Sequence, residues 1–292
     1  MAFKFIIYSF AYDSNNGGTM VLHFLCHLLN QNGYEAYIWR ADQPFYRSVF
    51  SKKYLKYLKI QKQPFYTNPL WNTPLATKET LDNAIVIYPE ITNGNPLKAK
   101  HVIRWLLHKP AFHSGKVEFG KNELILGYGK NFSTQKYPIT DHNLLSIKYI
   151  MREIFQQTNF GPRDGSCHMI RKGKNKQFVH DKNSVLVDDF SQQELAKIFN
   201  KVEYFISYDP YTFYSRYASL CGCKSIIIPD EGVPKEAWHP DERLHYGIAY
   251  GFDDIDYALN TRDKMLEQLD IEEEKNIESI QKLVHMCKEY FQ

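Results

Sequence analysis

The 292-residue sequence lacks the features of a membrane-spanning, secreted or zinc-binding protein. It contains no run of about 20 apolar residues, so we expect no transmembrane helix. Its N-terminal residues include a short apolar run without a small-residue cleavage site, which predicts a first strand and not a signal peptide. Its five cysteines form no Cys-x-x-Cys pair, and Cys221 and Cys223 around Gly222 are too few for a zinc site. Such cysteine usage favours a reducing, cytoplasmic compartment.

Charge is unevenly distributed along the chain, although the net charge is only +3. Residues 1–150 contain 18 Lys and Arg against 9 Asp and Glu, a balance of +9, whereas residues 151–292 contain 18 against 24, a balance of −6. This asymmetry suggests two domains with different surfaces. The basic half favours an anionic acceptor or an anionic membrane face. The acidic half argues against extensive nucleic-acid contact, because phosphate neutralisation dominates such binding.

The most informative stretch is YFISYDPYTFYSRYASLCGCKSIIIPD, residues 204–230. Its first four residues predict a buried strand that ends before Pro210, because proline cannot continue a central strand. Residues 212–221 predict a helix that ends at Gly222, and residues 225–228 predict a second strand. This pattern is typical of a parallel α/β sheet, in which ligands bind at the carboxyl ends of the strands. The turn leads into a helix N-terminus that favours phosphate, with Thr212 as its cap.

The same reasoning predicts alternating strands and helices elsewhere. Strands are expected over residues 4–10, 34–39, 85–88, 123–127, 167–170, 185–187 and 248–251, and helices over residues 19–30, 192–200 and 267–290, with Ser191 as the cap of the second. We expect another helix that starts at Asn95-Pro96, contains VIRWLL and ends at Pro110. Residues 144–155 are apolar and periodic, and either a strand or a helix fits them. The polar stretch at 156–166 predicts a linker between two domains.

A metal site is not evident in the sequence. His23 and His27 stand four residues apart on the first predicted helix, a spacing that can bind a metal. No acidic residue lies between them and no third ligand is evident, so we expect a packed or solvated pair. We therefore predict that the protein uses no metal.

Residues 45–62, FYRSVFSKKYLKYLKIQK, mix aromatic residues with cations. The stretch fits an amphipathic helix with Val49, Phe50, Leu55 and Leu58 on one side. Basic amphipathic segments bind anionic membranes, and they can also bind nucleic acid. The simpler interpretation, which we favour, is a surface helix or loop that packs its apolar stripe against the protein.

The stretch at 204–230 resembles the donor-binding segment of glycosyltransferases with the GT-B fold, especially the large retaining family. In that family a strand ends in Glu, Gly-Phe-Gly-Leu follows, a second Glu stands eight residues after the first, and Ala-Cys-Gly and a Val-Val strand come next. Leu220-Cys221-Gly222 is similar to Ala-Cys-Gly, and Ile226-Ile227 is similar to that strand. Counting back from Gly222 puts Asp209 at the first Glu and Tyr217 at the second. The acid that usually holds the nucleotide ribose is therefore replaced.

Two segments of the first half extend the resemblance. Gly17-Gly18 is similar to the double glycine of the first βα unit, which admits donor or acceptor close to the backbone, and we count both glycines among the donor-binding residues. A simple strand-to-helix turn is the alternative, and the pair is not the Gly-x-Gly-x-x-Gly of dinucleotide enzymes. Tyr88-Pro89-Glu90 and Gly94-Asn95-Pro96 resemble a segment of bacterial glycosyltransferases that assemble surface polysaccharides. Glu90 could accept a proton from an acceptor hydroxyl, hydrogen-bond a sugar, or only cap a loop.

The resemblance assigns the donor to the second half of the chain. In retaining GT-B enzymes a basic residue after the first strand of the donor domain holds the donor diphosphate. In this chain Arg171-Lys172 stands at that position. The alternative is that these residues form a solvated basic loop. The turn at Asp188, after the next strand, could face the nucleotide base. Asp209 is expected to contact a sugar hydroxyl. The remaining donor-binding residues are expected in the turn and helix start that follow, namely Tyr211, Thr212, Phe213 and Ser215.

We therefore predict an α/β protein of two Rossmann-like domains facing a cleft. Residues 1–156 would form the acceptor-side domain, residues 166–270 the nucleotide-sugar-binding domain, and residues 271–292 a C-terminal helix that crosses back to the first domain. In the enzyme that the resemblance implies, Glu90 and Asp209 are the catalytic residues.

The resemblance implies a metal-independent, hexosyltransferase-like glycosyltransferase of bacterial surface polysaccharide or lipopolysaccharide synthesis. Its partners would be a nucleotide sugar and a glycan or lipid-linked acceptor, without a cofactor. The basic stretch at residues 45–62 adds an anionic membrane surface as a partner, and the acidic second half argues against nucleic acid. We expect a cytoplasmic protein, peripheral at the inner face of the membrane. The alternative is a non-catalytic nucleotide- or sugar-binding protein on the same fold.

Overall fold

The computed structural model describes residues 3–46, 48–239 and 241–292, which divide into two compact units. Unit 1 contains the chain up to Tyr149 together with Glu273–Gln292, and unit 2 contains Ile150–Glu272. The described residues of each unit form a five-stranded parallel sheet, so the prediction of an α/β chain is confirmed. Among the same residues, no helix has both the length and the apolar character needed to cross a bilayer.

Unit 1 is built on strands β1 (Lys4–Ser9), β2 (Glu35–Arg40), β3 (Ile85–Pro89), β4 (His101–Leu106) and β5 (Leu124–Gly127). These strands lie in the order β2-β1-β3-β4-β5 and every neighbouring pair is parallel. Helices α1 (Gly17–Gln31) and α2 (Lys52–Gln61) belong to this unit. Phe5 and Ile7 lie in one buried cluster and Ile6 in another, so both faces of the sheet are covered.

Unit 2 is built on strands β6 (Ser166–Met169), β7 (Val185–Leu186), β8 (Tyr204–Ser207), β9 (Lys224–Ile227) and β10 (Ala249–Tyr250). They lie in the order β10-β9-β8-β6-β7, again with parallel neighbours. The helices of this part of the chain are α3 (Gln192–Lys201), α4 (Tyr214–Leu220), α5 (Lys235–Trp238) and α6 (Ile255–Asn260). The last helix, α7 (Arg262–Phe291), starts in unit 2, and its residues from Glu273 onward belong to unit 1.

The two sheets share one strand order. Numbered along the chain within each unit, both follow the order 2-1-3-4-5, with the first strand between the second and the third. In doubly wound sheets of this order the connections reverse direction at the first and third strands, and ligands bind at their carboxyl ends. A ligand site is therefore expected at the carboxyl ends of β1 and β3 in unit 1 and of β6 and β8 in unit 2.

The predicted helix from Asn95-Pro96 to Pro110 is wrong, because its apolar run forms strand β4. β4 pairs with β3 on one side and β5 on the other, and five of its six residues are buried. A strand that is buried on both faces has a continuous apolar run, and its periodicity cannot be told from that of a buried helix. Because residues 101–106 are a strand, Leu107 and His108 stand directly after its carboxyl end.

Two other assignments also change in the structure. Residues 144–155 form neither a strand nor a helix, apart from a single β-bridge between Leu144 and Gly127. The helix predicted from Thr212 starts at Tyr214, and Phe213 occupies its N-cap position. Thr212 is therefore not the helix cap, although its Oγ1 accepts a long hydrogen bond of 3.4 Å from the Tyr214 N–H.

The predicted helix start at Ser191 and helix end at Gly222 both agree with the structure. Ser191 and Glu194 form the capping box of α3, as the sequence predicts for Ser191. Gly222 has φ of +83° directly after the C-cap of α4, a left-handed conformation that favours glycine. These short-range interactions need no partner from elsewhere in the chain, and so they can be predicted from sequence.

Candidate functional site

A cavity of about 680 Å³ lies at the carboxyl end of the unit 1 sheet. The ends of β1 and β3, the residues after β4 and the first turn of α1 form its walls. The predicted site residues Gly17, Gly18 and Glu90 all line it. Its volume falls in the range of roughly 300–1,000 Å³ that is typical of small-molecule sites. The cavity thus lies where a sheet of this strand order is expected to bind a ligand.

Glu90 is the first residue after β3, and it is 5 % exposed in the wall of this cavity. Its Oε2 accepts a hydrogen bond from the backbone N–H of Leu107 at 2.9 Å. Burial raises the pKa of Glu90 above its ordinary value, although backbone hydrogen bonds and the electrostatic interaction with His113 act in the opposite direction. A raised pKa makes the ionised carboxylate a stronger proton acceptor, which suits acid–base chemistry.

Two histidines that the sequence reasoning missed also line the cavity. His108 is the second residue after β4, and its ring centroid lies 4.8 Å from that of His113. His108 also contacts the rings of Phe112 and Phe132, and among the described residues its buried Nδ1 has no hydrogen-bond partner. The signal in the sequence was a polar residue just after the carboxyl end of a strand. The prediction of a helix over residues 101–106 placed His108 within that helix and not after the end of a strand.

The first turn of α1 closes another side of the cavity. Asn16 caps this helix, because its Oδ1 accepts hydrogen bonds from the N–H groups of Gly18 at 3.0 Å and Thr19 at 3.2 Å. A Cβ atom added at Gly17 would meet no atom of the described residues within 4 Å, so open space borders its backbone. A ligand can therefore approach the chain at Gly17, whereas the N–H groups of Gly18 and Thr19 already have an acceptor.

A buried arginine fixes the loop that follows Glu90. Arg104, in the middle of β4, forms two hydrogen bonds to Glu123 at 2.9 and 3.0 Å, and both side chains are almost fully buried. Its guanidinium also donates to the backbone carbonyls of Thr92 and Gly94. A buried charge requires such a partner and such hydrogen bonds. Arg104 therefore orients the backbone just after Glu90, a role with no signal in the sequence pattern.

In unit 2, Asp188 ties together the ends of two neighbouring strands. Its two carboxylate oxygens accept hydrogen bonds from the backbone N–H groups of Ile170 at 2.8 Å and Arg171 at 2.7 Å. Asp188 follows β7, and Ile170 follows β6. The carboxylate thus shapes the turn that carries Arg171.

Arg171 and Lys172 are both exposed in the turn after β6. The Arg171 guanidinium lies over the ring of Tyr214, 4.7 Å from its centroid. Gly173 packs so closely on the end of β8 that an added Cβ would lie 2.2 Å from the carbonyl oxygen of Tyr208. The glycine is therefore required for the turn to lie against β8.

Asp209 lies at the other strand of the unit 2 switch point, two residues after the end of β8. It is almost fully buried, and its Oδ1 accepts a hydrogen bond from the backbone N–H of Tyr211 at 3.2 Å. Tyr211 and Phe213 are exposed, and Thr212 is half-buried between them. Ser215 faces the interior of the unit, where its hydroxyl has no partner among the described residues. The turn therefore presents two aromatic rings, with the carboxylate of Asp209 behind them.

Arg216, one residue after Ser215, is a second cation that the sequence reasoning missed. It is buried, its Nη1 lies 3.8 Å from Glu272 Oε1, and within the described ranges its Nη2 has no hydrogen-bond partner. Burial lowers the pKa of Arg216, and the charges of Glu272 and Asp241 oppose that effect. A buried guanidinium with an incomplete set of partners has free capacity for an anion.

The predicted residues thus fall into two groups. Gly17, Gly18 and Glu90 share the unit 1 cavity. The others lie at or just after the carboxyl ends of β6, β7 and β8, namely Arg171, Lys172, Asp188, Asp209, Tyr211, Thr212, Phe213 and Ser215.

In the described part of the chain, no three or more His, Cys, Asp or Glu side chains are grouped so that they could hold a metal ion. His23 Nε2 instead contacts the carbonyl of Phe10, and His27 Nδ1 accepts from the Asn72 N–H.

Comparison with models of known protein families finds no match to the chain, and comparison with curated proteins finds none either.

Proposed function

We propose that the chain is a glycosyltransferase that moves a sugar from a nucleotide-sugar donor to a glycan or lipid-linked acceptor in bacterial surface polysaccharide synthesis. One observation carries this proposal. Both sheets have the 2-1-3-4-5 order, and the residues that resemble GT-B enzymes lie at the switch point of each: Glu90 in unit 1, and Arg171 and Asp209 in unit 2. Two such sites suit a reaction between two ligands, because each sheet can hold one of them.

The proposal assigns the acceptor to the unit 1 cavity. Glu90 would take the proton of the acceptor hydroxyl as the acceptor oxygen forms its bond to the anomeric carbon of the sugar. The raised pKa of Glu90 supports this role, because a more basic carboxylate removes a hydroxyl proton more readily. Gly17 supports it as well, since the open space beside its backbone leaves room for a sugar ring.

The donor is assigned to the strand ends of unit 2. The bond between the anomeric carbon and the diphosphate oxygen breaks, its electron pair stays with the diphosphate, and Arg171 and Lys172 stabilise the charge that develops. Both side chains are exposed and therefore free to reach a phosphate, and the ring of Tyr214 supports Arg171. Asp209 would hydrogen-bond a sugar hydroxyl, since without a metal its carboxylate would repel the diphosphate.

The second candidate is a non-catalytic nucleotide- or sugar-binding protein. Tyr217, at the position of the family's second acid, is buried, and its ring stacks on Phe155 with centroids 4.2 Å apart. It therefore offers no carboxylate for a nucleotide ribose. This observation favours a protein in which part of the donor site has been lost.

The test measures transfer and binding separately. The full chain is incubated with a panel of nucleotide sugars, with and without glycan or lipid-linked acceptors, and the release of nucleoside diphosphate is followed. Binding of the nucleoside diphosphates is measured by calorimetry for the native protein and for the Arg171→Ala, Lys172→Ala double variant. We expect the double variant to bind about 1–3 kcal/mol more weakly, the scale of hydrogen bonds to charged groups.

A matched control removes the same charge elsewhere in unit 2, through Lys197→Ala and Lys201→Ala on α3. Equal affinity of the control and test variants would refute the donor assignment. Tight nucleotide binding without transfer to any acceptor would favour the binding protein over the enzyme.

A further inference from the structure

Residues 43–78 of unit 1 contain no Asp or Glu, but they contain seven Lys and Arg. Five of the lysines, at positions 52, 53, 56, 59 and 62, belong to α2 or its C-cap. All five are exposed. Arg47 lies outside the described residues. The nearest acid after this segment, Glu79, interacts electrostatically with Tyr46 and Tyr57. The charged side chains of the segment itself are therefore all basic, and Glu79 lies beside its packed tyrosines.

Helix α2 packs on the protein through tyrosines and not through leucines. Tyr54 and Tyr57 each contact Tyr46, with ring centroids 4.8 Å apart, and Ile60 is buried. Leu55 and Leu58, three residues apart and so on one side of the helix, are 65 % and 40 % exposed. The expectation that this helix packs its apolar stripe against the protein is therefore wrong, because Tyr54, Tyr57 and Ile60 form the packed contacts while the leucines stay exposed.

More exposed apolar side chains flank the helix in the sequence. Phe50, next to the N-cap Ser51, is 96 % exposed, and Tyr66 and Leu70, which follow α2, are 68 % and 66 % exposed. Leaving large apolar side chains in water is unfavourable, and a concentration of them marks an interaction surface. The helical spacing puts Lys52, Lys59 and Lys62 on the same side as Leu55.

We propose that α2 and the adjoining Phe50, here called the α2 face, dock on an anionic lipid bilayer. Leucine and phenylalanine would enter the boundary between headgroups and acyl chains, while the lysine ammonium groups reach outward to anionic headgroups. This inference rests on charge and exposure in unit 1 alone, and it stands independently of glycosyl transfer.

The composition of the α2 face favours a bilayer over a protein partner. The buried centres of protein interfaces are depleted in lysine, because its compact, strongly hydrated charge is costly to desolvate. A bilayer surface leaves the lysine ammonium in water and in contact with phosphates while it covers the leucines. Each lysine near such a surface strengthens binding about fivefold.

The test is vesicle sedimentation with the full chain. Vesicles of phosphatidylcholine alone are compared with vesicles that contain phosphatidylglycerol, at low and at high salt. We expect binding only to the anionic vesicles and a marked loss at high salt, because salt screens the exposed charges. The double variant Lys52→Ala, Lys59→Ala should bind about 25-fold more weakly. The control Lys109→Ala, Lys121→Ala removes two other exposed lysines of unit 1 and should bind like the native protein.

A second pair of variants tests insertion. Leu55→Ser with Leu58→Ser should weaken binding to anionic vesicles, whereas Leu259→Ser with Ile271→Ser, at exposed positions of unit 2, should not. Equal binding to neutral and anionic vesicles would overturn the proposal, as would equal binding of the lysine variants and their control. A native dimer in light scattering that the leucine variants abolish, without vesicle binding, would assign the α2 face to a second copy of the chain. Circular dichroism confirms that each variant is folded.

Discussion

The carboxylate of Glu90, the first residue after β3, accepts a hydrogen bond from the backbone N–H of Leu107, the first residue after β4. This bond of 2.9 Å joins the ends of two neighbouring strands at the wall of the cavity. It orients one carboxylate oxygen, and burial keeps the group more basic than an exposed glutamate. A single side chain thus combines a structural contact with the properties of a proton acceptor.

Replacing Glu90 with glutamine should remove proton transfer and keep the fold. Glutamine retains an oxygen that can accept the Leu107 N–H, but it cannot take a proton from a hydroxyl. We expect the transfer rate to fall about 100-fold or more, within the range for loss of a general base. Binding of nucleoside diphosphate, which is assigned to unit 2, should stay unchanged. The control is Glu118→Gln, an exposed carboxylate of the same unit. A variant that retains the native rate would contradict the assignment.

The raised pKa of Glu90 also predicts how stability depends on pH. The folded protein holds a proton on Glu90 at pH values where the unfolded chain, with a pKa near 4.5, has released it. The contribution to the free energy of unfolding is therefore fully present below that value and is lost as the pH rises through the folded pKa. Urea unfolding of the native protein and of Glu90→Gln, from acid to neutral pH, measures this difference. We expect the native protein to lose stability relative to the variant as the pH rises, and the opposite slope would exclude a raised pKa.

Gly17→Ala separates ligand access from folding. Because a Cβ at this position meets open space and alanine is a better helix former than glycine, the melting temperature should not fall. The added methyl group would instead occupy the approach to the backbone from the cavity, so the KM for the acceptor should rise. Gly161→Ala, whose Cβ makes only an ordinary contact in unit 2, is the control. An unchanged KM would show that no ligand approaches Gly17.

Asp209→Asn should impair transfer more than nucleotide binding. Asparagine keeps an oxygen for the Tyr211 N–H, so the turn after β8 should persist. A group that acts on the sugar in the transition state affects kcat, and its loss leaves nucleotide affinity nearly unchanged. The comparison uses kcat and the Kd for nucleoside diphosphate, with the exposed Asp189→Asn as control. If Asp209→Asn transfers sugar at the native rate, Asp209 is not a catalytic residue.

The ion pair of Arg104 and Glu123 predicts a large effect on stability. Glu123→Ala leaves a fully buried guanidinium without its charged partner, and breaking a buried pair in this way costs about 3–5 kcal/mol. Glu118→Ala breaks the exposed pair with Lys116 and should change stability little. Urea unfolding of the two variants provides the measurement. Similar stabilities would mean that Arg104 finds other partners when Glu123 is absent.

Much of the local structure could be predicted from the sequence, and the exceptions have a common cause. The run VIRWLL was assigned to a helix because apolar residues occupy both faces of β4, and only the presence of β3 and β5 on either side makes it a strand. For Leu55 and Leu58 the sequence allows either a packed or an exposed stripe, and in the structure Tyr54 and Tyr57 make the packed contacts while the leucines are exposed. For VIRWLL the sequence fits a helix or a strand, and for residues 45–62 it does not show which side chains pack. In both cases the neighbouring segments decide.

The candidate site divides in the same way. Glu90 and Asp209 could be named because each stands at the end of a predicted strand, in a segment that resembles GT-B glycosyltransferases. His108, Arg104 and Arg216 could not, because their surroundings come from residues distant in the chain, such as Phe132, Glu123 and Glu272. A sequence pattern reports which residues follow a strand, but it does not report which side chains meet across a sheet.

By itself, the sequence determined the α/β class, the helix cap at Ser191, the end of α4 at Gly222 and the basic character of residues 43–78. These properties depend on neighbours a few residues away, where the geometry of the backbone limits the choices. Only the tertiary structure decided that both sheets have the order 2-1-3-4-5, that Glu90 lines a cavity and that α2 turns its leucines outward. Strand order and burial arise from contacts between segments far apart in the chain, and these contacts decide which of several locally acceptable arrangements has the lowest free energy.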